Sequence, residues 1–573
     1  MKPAVSFLCI LLYGCQLSCA LPGATKDDRA ATEERSNTVK VTFRGGSVIG
    51  RSRLGTEAFT AIPYAEPPVG DFRLRPPQQF TGTLKDHDGT GLSPSCPQHY
   101  VDTDAMDLIS SVASGILKLP FFDRLTGQED CLTLTVQRPA GTKPGDGLPI
   151  LFWIYGGAFV LGGTNTYDAT SFLARAVDQG QPFIMVSVNY RLNGFGFMGG
   201  REVLEAGVSN LGLLDQRLGL QWVADNIADF GGDPDKVTIW GESAGSISVF
   251  DQMLLFGGNA TYKGKPLFRG AIMDSGSVLP TDPVDCQQEQ ELFDETVRSA
   301  GCSGAADTLH CLRQLPYEKF YNAVTSVPGI ASINHLQWSH IPRPDGKVLV
   351  ESPDVMAAKG NLHAVPLIIG NQEDEGSVFA IITPNLTSTD RIVNYLSEYV
   401  LHNTSREMIQ QFVDMYPTSP AAGSPFRTGF LNELYPGFKR MSALIGDAIL
   451  HFPRRYVLET VSRVKPDTPM WSYLASYDYG LPFVGTFHGS DILQTFYGLP
   501  PNHAEKSSRT YYLNFIHNLD PNKGVENYDN WPRWTESEKL MWLKTPYNND
   551  LLGDDFRKDR SDFFNQNIAS LRY

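Results

Sequence analysis

The chain contains many short apolar runs, each followed by a polar or glycine-rich stretch. Most of these runs are apolar at consecutive positions rather than at alternate ones, which is typical of strands buried on both faces of a sheet. The pattern predicts strands at 39–43, 47–50, 59–65, 148–155, 182–190, 236–240, 270–275, 365–370 and 470–477.

Segments with the apolar period of a helix lie between these strands. Residues 213–227 and 246–256 flank the sixth run on either side. Alternating strands and helices indicate an α/β fold, in which a mostly parallel central sheet carries helices on both faces. Residues 286–330 and 390–465 are interpreted as mainly helical insertions. Because no internal repeat or linker-like stretch interrupts the pattern, residues 38–573 are predicted to form a single domain.

The first twenty residues have the character of a secretory signal peptide. Lys2 gives a positive start, residues 4–13 are apolar, and positions 18–20 supply the small side chains of a cleavage site. The apolar run is too short to span a bilayer, and no other segment is long and apolar enough. We therefore expect residues 1–20 to be removed, residues 21–37 to form a mobile tail, and the mature protein to be extracellular.

The charge of the chain argues against one class of partner. The formal net charge is −15, and the 48 lysines and arginines form no cluster. Binding to nucleic acid requires a basic face that neutralises phosphates, so no nucleic-acid partner is expected. The sequence does not indicate whether the protein is a monomer or an oligomer.

Five cysteines remain after residue 20, and in an oxidising compartment such cysteines usually pair. Cys302 and Cys311 are close enough in sequence to close a local loop. Cys96 and Cys131 would then pair across a longer loop, which leaves Cys286 as a free, buried thiol. The sequence alone leaves this connectivity open. Three Asn-x-Ser/Thr triplets are expected to be surface glycosylation sites, at Asn259, Asn385 and Asn403.

Residues 240–245 read W-G-E-S-A-G and contain the pattern G-x-S-x-G directly after a predicted strand. Alone, this pattern is also compatible with a serine in an ordinary strand-to-helix turn. At the carboxyl end of a sheet strand it is typical of a nucleophile on a strained turn, with its hydroxyl exposed. A serine hydroxyl is a weak nucleophile that needs a base, and the base needs an acid. We therefore expect a carboxylate and a histidine downstream of Ser243.

The candidate acid and base lie in two loops that follow later strands. The run 365–370 leads into N-Q-E-D-E-G, where Glu373, Asp374 and Glu375 compete and the residues alone do not decide among them. His488 lies in the loop G-T-F-H-G, whose glycines allow the backbone to approach a reacting centre closely. Four other histidines fit less well: His402 beside a sequon is expected to be exposed, His451 and His517 lie in helical stretches, and His503 lies in a polar loop.

A glycine-rich turn at 156–159 follows the predicted strand 148–155. The backbone N–H groups of Gly157 and Ala158, together with that of Ala244, would form a three-donor oxyanion hole for acyl transfer. A Gly-Gly pair is common in turns, but its position after a strand and before the serine turn favours this role.

Taken together, these motifs resemble the type-B carboxylesterase/lipase family of α/β-hydrolases, and most closely its secreted fungal lipases. The similar stretches lie in order over residues 38–570 and include F-T-A-I-P-Y-A-E-P-P-V-G, E-D-C-L-T, W-I-Y-G-G-A-F, F-G-G-D-P-D-K-V-T-I-W-G-E-S-A-G, G-N-Q-E-D-E-G and G-T-F-H-G-S-D. The resemblance implies an α/β-hydrolase fold with Ser243 as nucleophile, His488 as base and Glu375 as acid.

The resemblance carries further expectations. It implies the oxyanion positions Gly157, Ala158 and Ala244, the disulfides Cys96–Cys131 and Cys302–Cys311, and a substrate tunnel lined by Pro280 and Phe379. Core packing is the alternative role for the last two residues. The family needs no cofactor or metal, and none is expected here. One departure is Thr135 in E-D-C-L-T-L-T-V, a further stretch that we interpret as a strand; the family usually carries asparagine there, and the change affects no catalytic role.

The loop between Cys96 and Cys131 contains an amphipathic segment at 104–117, with apolar side chains at i, i+4, i+7 and i+11 from Ala105. Its position matches the flap of fungal lipases. We interpret it as a disulfide-tethered lid whose apolar face turns toward a lipid–water interface. A surface helix packed on the core is the alternative.

The sequence thus predicts a secreted triacylglycerol lipase that releases long-chain fatty acids through an acyl-enzyme. A carboxylesterase acting on soluble or specialised esters is the alternative. A cholinesterase is disfavoured because residues 97–130 contain no tryptophan for a cation–π contact. A non-catalytic binding protein of the same fold is disfavoured because serine, acid, histidine and oxyanion positions are all retained.

Overall fold

The computed structural model describes residues 37–99, 125, 127–329, 338–544 and 547–573. The predicted signal peptide, the tail before residue 37 and the predicted lid segment at 104–117 lie outside the described residues.

One sheet runs through the described residues from Thr38 to Gly553. Its strands are β1 (Thr38–Phe43), β2 (Gly46–Arg53), β3 (Thr56–Pro63), β4 (Leu84–Gly89), β5 (Thr133–Pro139), β6 (Leu148–Ile154), β7 (Ile184–Val188), β8 (Gly232–Glu242), β11 (Gly270–Asp274), β12 (Leu367–Gln372), β13 (Met470–Ala475), β14 (Lys539–Leu543) and β15 (Asp550–Gly553), while β9 (Thr261–Tyr262) and β10 (Lys265–Pro266) form a separate hairpin. The order across the sheet is β1-β2-β3-β5-β7-β6-β8-β11-β12-β13-β14-β15, and β4 pairs with β2.

The centre of this sheet is parallel and its ends are antiparallel. Strands β7, β6, β8, β11, β12, β13 and β14 pair in parallel, whereas β1, β2, β3 and β5 precede them as an antiparallel ribbon. Every residue of β7, β11, β12 and β13 is buried, which explains their continuous apolar sequence. The predicted buried, mostly parallel sheet is confirmed. The apolar runs did not include β4, β9, β10, β14 and β15, and they also left out the fully buried β5, of which only the stretch around Thr135 was interpreted as a strand.

Helices connect and cover the strands. They are α1 (Thr170–Asp178), α2 (Asn193–Gly196), α3 (Arg201–Ala206), α4 (Leu211–Asn226), α5 (Ala244–Gly258), α6 (Gln287–Ser299), α7 (Thr308–Gln314), α8 (Tyr317–Val324), α9 (Pro353–Ala358), α10 (Ser377–Ala380), α11 (Thr389–Tyr399), α12 (Arg406–Asp414), α13 (Phe438–Gly446), α14 (Phe452–Val464), α15 (Ser490–Tyr497), α16 (His503–Asn518), α17 (Trp534–Ser537) and α18 (Lys558–Asn567). Helices α6–α8 and α11–α14 lie in the two predicted helical insertions, which are confirmed.

Parallel strands bring distant loops to one edge of the sheet. Strands β8, β12 and β13 run in the same direction, so their carboxyl ends share that edge. Ser243 directly follows β8, Glu375 follows β12, and His488 follows β13. This topology positions the three predicted site residues in one region.

Candidate active site

Ser243 lies on a strained turn between β8 and α5. Its φ and ψ are 57° and −128°, a conformation that L-residues with a side chain rarely adopt. Its backbone N–H donates to the Asp274 carbonyl at 2.9 Å, which fixes the turn on the neighbouring strand β11. A Cβ at Gly245 would overlap the carbonyl oxygen of Ile154, so close packing requires the second glycine of the G-x-S-x-G pattern. The predicted strained turn is therefore present.

Among the three competing carboxylates, Glu375 contacts His488. Its Oε2 lies 2.7 Å from His488 Nδ1, and its side chain is fully buried. Its other oxygen, Oε1, accepts from the Gln372 backbone N–H at 2.8 Å and from Asn371 Nδ2 at 3.2 Å. These donors hold the carboxylate in one orientation and leave Oε2 for the imidazole.

The two neighbouring carboxylates have other partners. Glu373 forms an ion pair with Arg427. Asp374 accepts hydrogen bonds from Ser424 Oγ at 2.8 Å and from the Thr486 N–H at 3.0 Å. They therefore tie this loop to two others and do not reach the imidazole.

The other candidate histidines lie elsewhere. His402 is exposed, and His451 and His517 lie in helical segments, as predicted. The prediction that His503 lies in a polar loop is wrong, because His503 is the first residue of α16. Asn502 caps this helix by accepting from the Glu505 N–H at 2.8 Å. The pattern Asn-x-x-Glu was the signal for this helix start.

Sequence reasoning missed Glu242, the residue before the serine. Its Oε1 lies 3.3 Å from His488 Nε2, and its side chain is 6 % exposed. Burial raises the pKa of Glu242 well above its usual range, and the nearby Asp491, Glu375 and Asp274 raise it further. The neutral form of Glu242 is thus favoured. The contact places Nε2 of the imidazole beside the serine turn.

The glycine-rich loop after β6 packs directly on that turn. A Cβ at Gly156 would lie 2.6 Å from the Glu242 carbonyl oxygen and 2.8 Å from Ser243 Cβ, so no larger residue fits there. Gly157 and Ala158 follow with φ values of 102° and 55°, in the left-handed region. Ala244 is the first residue of α5, so its N–H has no acceptor within the helix. Gly157 and Ala158 thus directly follow the glycine that packs on the serine turn, and Ala244 directly follows the serine.

The two predicted tunnel residues differ in their contacts. The Phe379 ring lies 5.0 Å from the His488 ring, centre to centre. Pro280 lies on the buried segment after β11, where its carbonyl accepts from the Tyr573 N–H at 3.1 Å. The structure thus brings Phe379 to the site, while Pro280 contacts the chain end.

Both predicted disulfides are present, Cys96–Cys131 and Cys302–Cys311. Cys286 is free, as expected, but half-buried rather than buried. The three sequon asparagines, Asn259, Asn385 and Asn403, are exposed. Among the described residues, no group of three or more His, Cys, Asp or Glu side chains is arranged to hold a metal ion. No helix in the described part of the chain is long and apolar enough to cross a membrane.

Comparison with known proteins gives consistent results. The model of a family described as the carboxylesterase family matches residues 36–564. The chain is 56 % identical to a secreted triacylglycerol lipase of Gibberella zeae, over 94 % of this chain and 92 % of the relative. It is 40 % identical to lipase 4 of Diutina rugosa, over 86 % and 89 % of the two chains. The structure of Aspergillus niger EstA superimposes with a TM-score of 0.79 over 94 % of this chain and all of EstA, at 24 % identity. The predicted α/β-hydrolase fold is thereby confirmed.

Proposed function

The chain belongs to the carboxylesterase family, and on this premise we propose that it is an extracellular lipase that hydrolyses triacylglycerols through an acyl-enzyme on Ser243. The observation that carries the proposal is the buried Glu375–His488 hydrogen bond beside the strained serine turn. The substrate class is supported by the names of the relatives, one of which is a secreted triacylglycerol lipase of Gibberella zeae.

In the proposed reaction, Ser243 Oγ attacks the ester carbonyl carbon while His488 Nε2 takes the hydroxyl proton. The tetrahedral intermediate then collapses, the imidazolium returns this proton to the departing alcohol, and the acyl group stays on Ser243. Water, deprotonated by His488, then attacks the acyl carbonyl; the bond between the acyl carbon and Oγ breaks, His488 returns the proton to Ser243 Oγ, and the fatty acid leaves. Glu375 keeps Nδ1 protonated, since its Oε2 accepts from that nitrogen at 2.7 Å.

The negative charge of the intermediate requires donors that are already in place. We propose the N–H groups of Gly157, Ala158 and Ala244 for this role, since the first two belong to the loop that packs on the serine turn and the third opens a helix. Donors fixed before the reaction stabilise the oxyanion without reorganising, and one such donor is worth about 2.7–4 kcal/mol.

We propose that the acyl chain lies against Phe379, which borders the imidazole, and continues past Pro280. We propose the segment 104–117 as the lid of the active site, on the basis of its amphipathic sequence alone.

Three more features belong to the proposal. Residues 38–573 form one folding unit, a view supported by the single sheet that links Thr38 to Gly553. Residues 1–20 direct secretion. Asn259, Asn385 and Asn403 carry N-glycans, for which their exposure is favourable.

The test is the rate of hydrolysis of tributyrin against its concentration, carried through its solubility limit, with Ser243→Ala as the blank. We expect a steep rise once droplets form and no turnover above background in Ser243→Ala, which should retain the wild-type circular dichroism spectrum. A curve that saturates below the solubility limit would favour the soluble-ester carboxylesterase instead. Wild-type turnover by Ser243→Ala would refute the nucleophile.

A further inference from the structure

Two adjacent apolar side chains project from a loop near the candidate active site. Phe430 and Leu431 are each 74 % exposed. They lie in the middle of residues 424–437, which we call the tip loop. Large apolar side chains of this chain are otherwise mostly buried in its core. Exposed apolar residues that occur singly are normal on soluble proteins, whereas Phe430 and Leu431 are adjacent and together form one apolar patch.

The tip loop is held in place by a buried lysine. Lys439 is fully buried, and its ammonium donates to Thr428 Oγ1 at 2.6 Å, to the Gly429 carbonyl at 2.8 Å and to the Leu431 carbonyl at 3.2 Å. All three ammonium protons thus have acceptors on the loop. The exposure of Phe430 and Leu431 is therefore part of an ordered structure that presents them to solvent.

The same loop is bonded to the segments that carry the candidate acid and base. Asp374, next to Glu375, accepts from the Phe426 N–H at 2.9 Å as well as from the Thr486 N–H at 3.0 Å, and Thr486 lies two residues before His488. The Phe483 N–H donates to Asn432 Oδ1 at 3.2 Å. Phe430 and Leu431 are consequently fixed relative to the catalytic loops.

The charged groups Arg427, Glu433 and Lys439 of the tip loop and its anchor all have partners within the protein. Arg427 pairs with Glu373, and its guanidinium also lies over the Tyr479 ring at 4.4 Å. Glu433 accepts from the Gly437 and Lys439 N–H groups, and Lys439 is buried. An anionic membrane would be attracted by free basic side chains, which the tip does not offer. The surface of a neutral, apolar lipid therefore matches the tip loop better than an anionic membrane does.

We propose that Phe430 and Leu431 insert into the surface of aggregated neutral acylglycerol and hold the active-site face against it. This anchor is separate from the predicted lid and rests on the proposed lipase function. The oil surface takes up the two apolar side chains, and no unpaired charge has to be dehydrated as they enter.

The test compares Phe430→Ser/Leu431→Ser with Leu54→Ser, which removes a side chain that is 72 % exposed at the turn between β2 and β3. Binding to emulsified triolein is measured by centrifugal depletion in the Ser243→Ala background. We expect the paired substitution to lower the apparent association constant at least about tenfold, the factor given by 1.4 kcal/mol. Leu54→Ser should bind like the parent. With Ser243 restored, all variants should hydrolyse the soluble ester p-nitrophenyl acetate at the wild-type rate.

Several results would refute the proposal that Phe430 and Leu431 anchor the protein to the lipid surface. Unchanged triolein binding by the paired variant would do so, as would an equal loss in Leu54→Ser. A loss of binding to vesicles containing anionic phospholipid, with triolein binding intact, would assign the patch to membranes. If sedimentation showed a wild-type dimer that the paired substitution dissociates, the patch would be a self-association surface. The proposed function fails differently: the wild type would then hydrolyse p-nitrophenyl acetate but not emulsified triolein.

Discussion

Replacing Glu375 by glutamine should disable the base while keeping the fold. In the native site Oε1 accepts from the Gln372 N–H and Asn371 Nδ2, while Oε2 faces His488 Nδ1 at 2.7 Å. In Glu375→Gln the amide oxygen must stay opposite those two donors, so the NH₂ group points at Nδ1. A donor there forces the imidazole proton onto Nε2, and Nε2 then no longer accepts the serine proton.

The expected loss follows from this wrong tautomer. Removing the charge of the acid while keeping its shape costs about 10⁴-fold in kcat in a serine hydrolase triad, or about 5.4 kcal/mol of transition-state stabilisation. The assay is the kcat for a soluble p-nitrophenyl ester, with the thermal unfolding midpoint measured in parallel. KM should change far less than kcat, because the substituted group does not touch the substrate.

The matched control is Glu373→Gln, two residues away, which removes only the ion pair with the half-exposed Arg427. Because Glu373 contacts Arg427 and not the imidazole, kcat should stay within about twofold of the wild type. Should Glu375→Gln retain a tenth or more of the wild-type kcat, the assignment of Glu375 as the acid would be refuted.

Two further substitutions test the packing around the site and the electrostatics of the core. Gly245→Ala places a methyl group on the Ile154 carbonyl oxygen and should lower the free energy of unfolding by more than about 3 kcal/mol in urea titrations. The control is Gly304→Ala, where a Cβ meets nothing within 4 Å, and it should change this free energy by less than about 0.5 kcal/mol. Equal effects of the two substitutions would contradict the close-packing argument. Burial opposes ionisation of Asp554, but Arg454 and Arg455 hold its pKa below the usual range. The ionised carboxylate therefore stabilises the fold above the unfolded-state pKa of about 3.9. This contribution is lost as the pH falls from that value toward the lower pKa of Asp554 in the folded protein. Asp554→Asn should therefore cost about 3–5 kcal/mol at pH 7, and its difference from the wild type should shrink below about pH 4; a difference independent of pH would refute the role of the ionised carboxylate.

Much of the sheet was predictable because its central strands are buried on both faces. Strands β6, β8 and β12 carry continuous apolar runs, and such runs are the strongest signal of a parallel sheet. Strand β14 gave a weaker signal, since its five residues K-L-M-W-L begin with an exposed lysine and follow the four-residue helix α17. Short strands near an edge receive less burial, so their sequences are less constrained.

The acid was the part of the site that residue patterns did not decide. Glu373, Asp374 and Glu375 are consecutive, so no spacing rule separates them. Their roles differ only through partners far away in sequence: Arg427 for Glu373, Ser424 and Thr486 for Asp374, and His488 for Glu375. Tertiary contacts of this kind have no local sequence signature. The resemblance to a family supplied the choice that Glu375 faces the base.

The fold gives different environments to Glu375 and Glu242, the two carboxyl groups that contact the His488 imidazole. Glu375 receives hydrogen bonds from Gln372 and Asn371, and such donors stabilise a carboxylate. Burial and the surrounding carboxyls instead favour the neutral form of Glu242, whose Oε1 lies 3.3 Å from Nε2. If both groups were ionised, Glu242 would attract a proton to Nε2 and compete with the serine hydroxyl for the base. Because burial favours its neutral form, Glu242 exerts no such attraction, and Nε2 lies beside the serine turn.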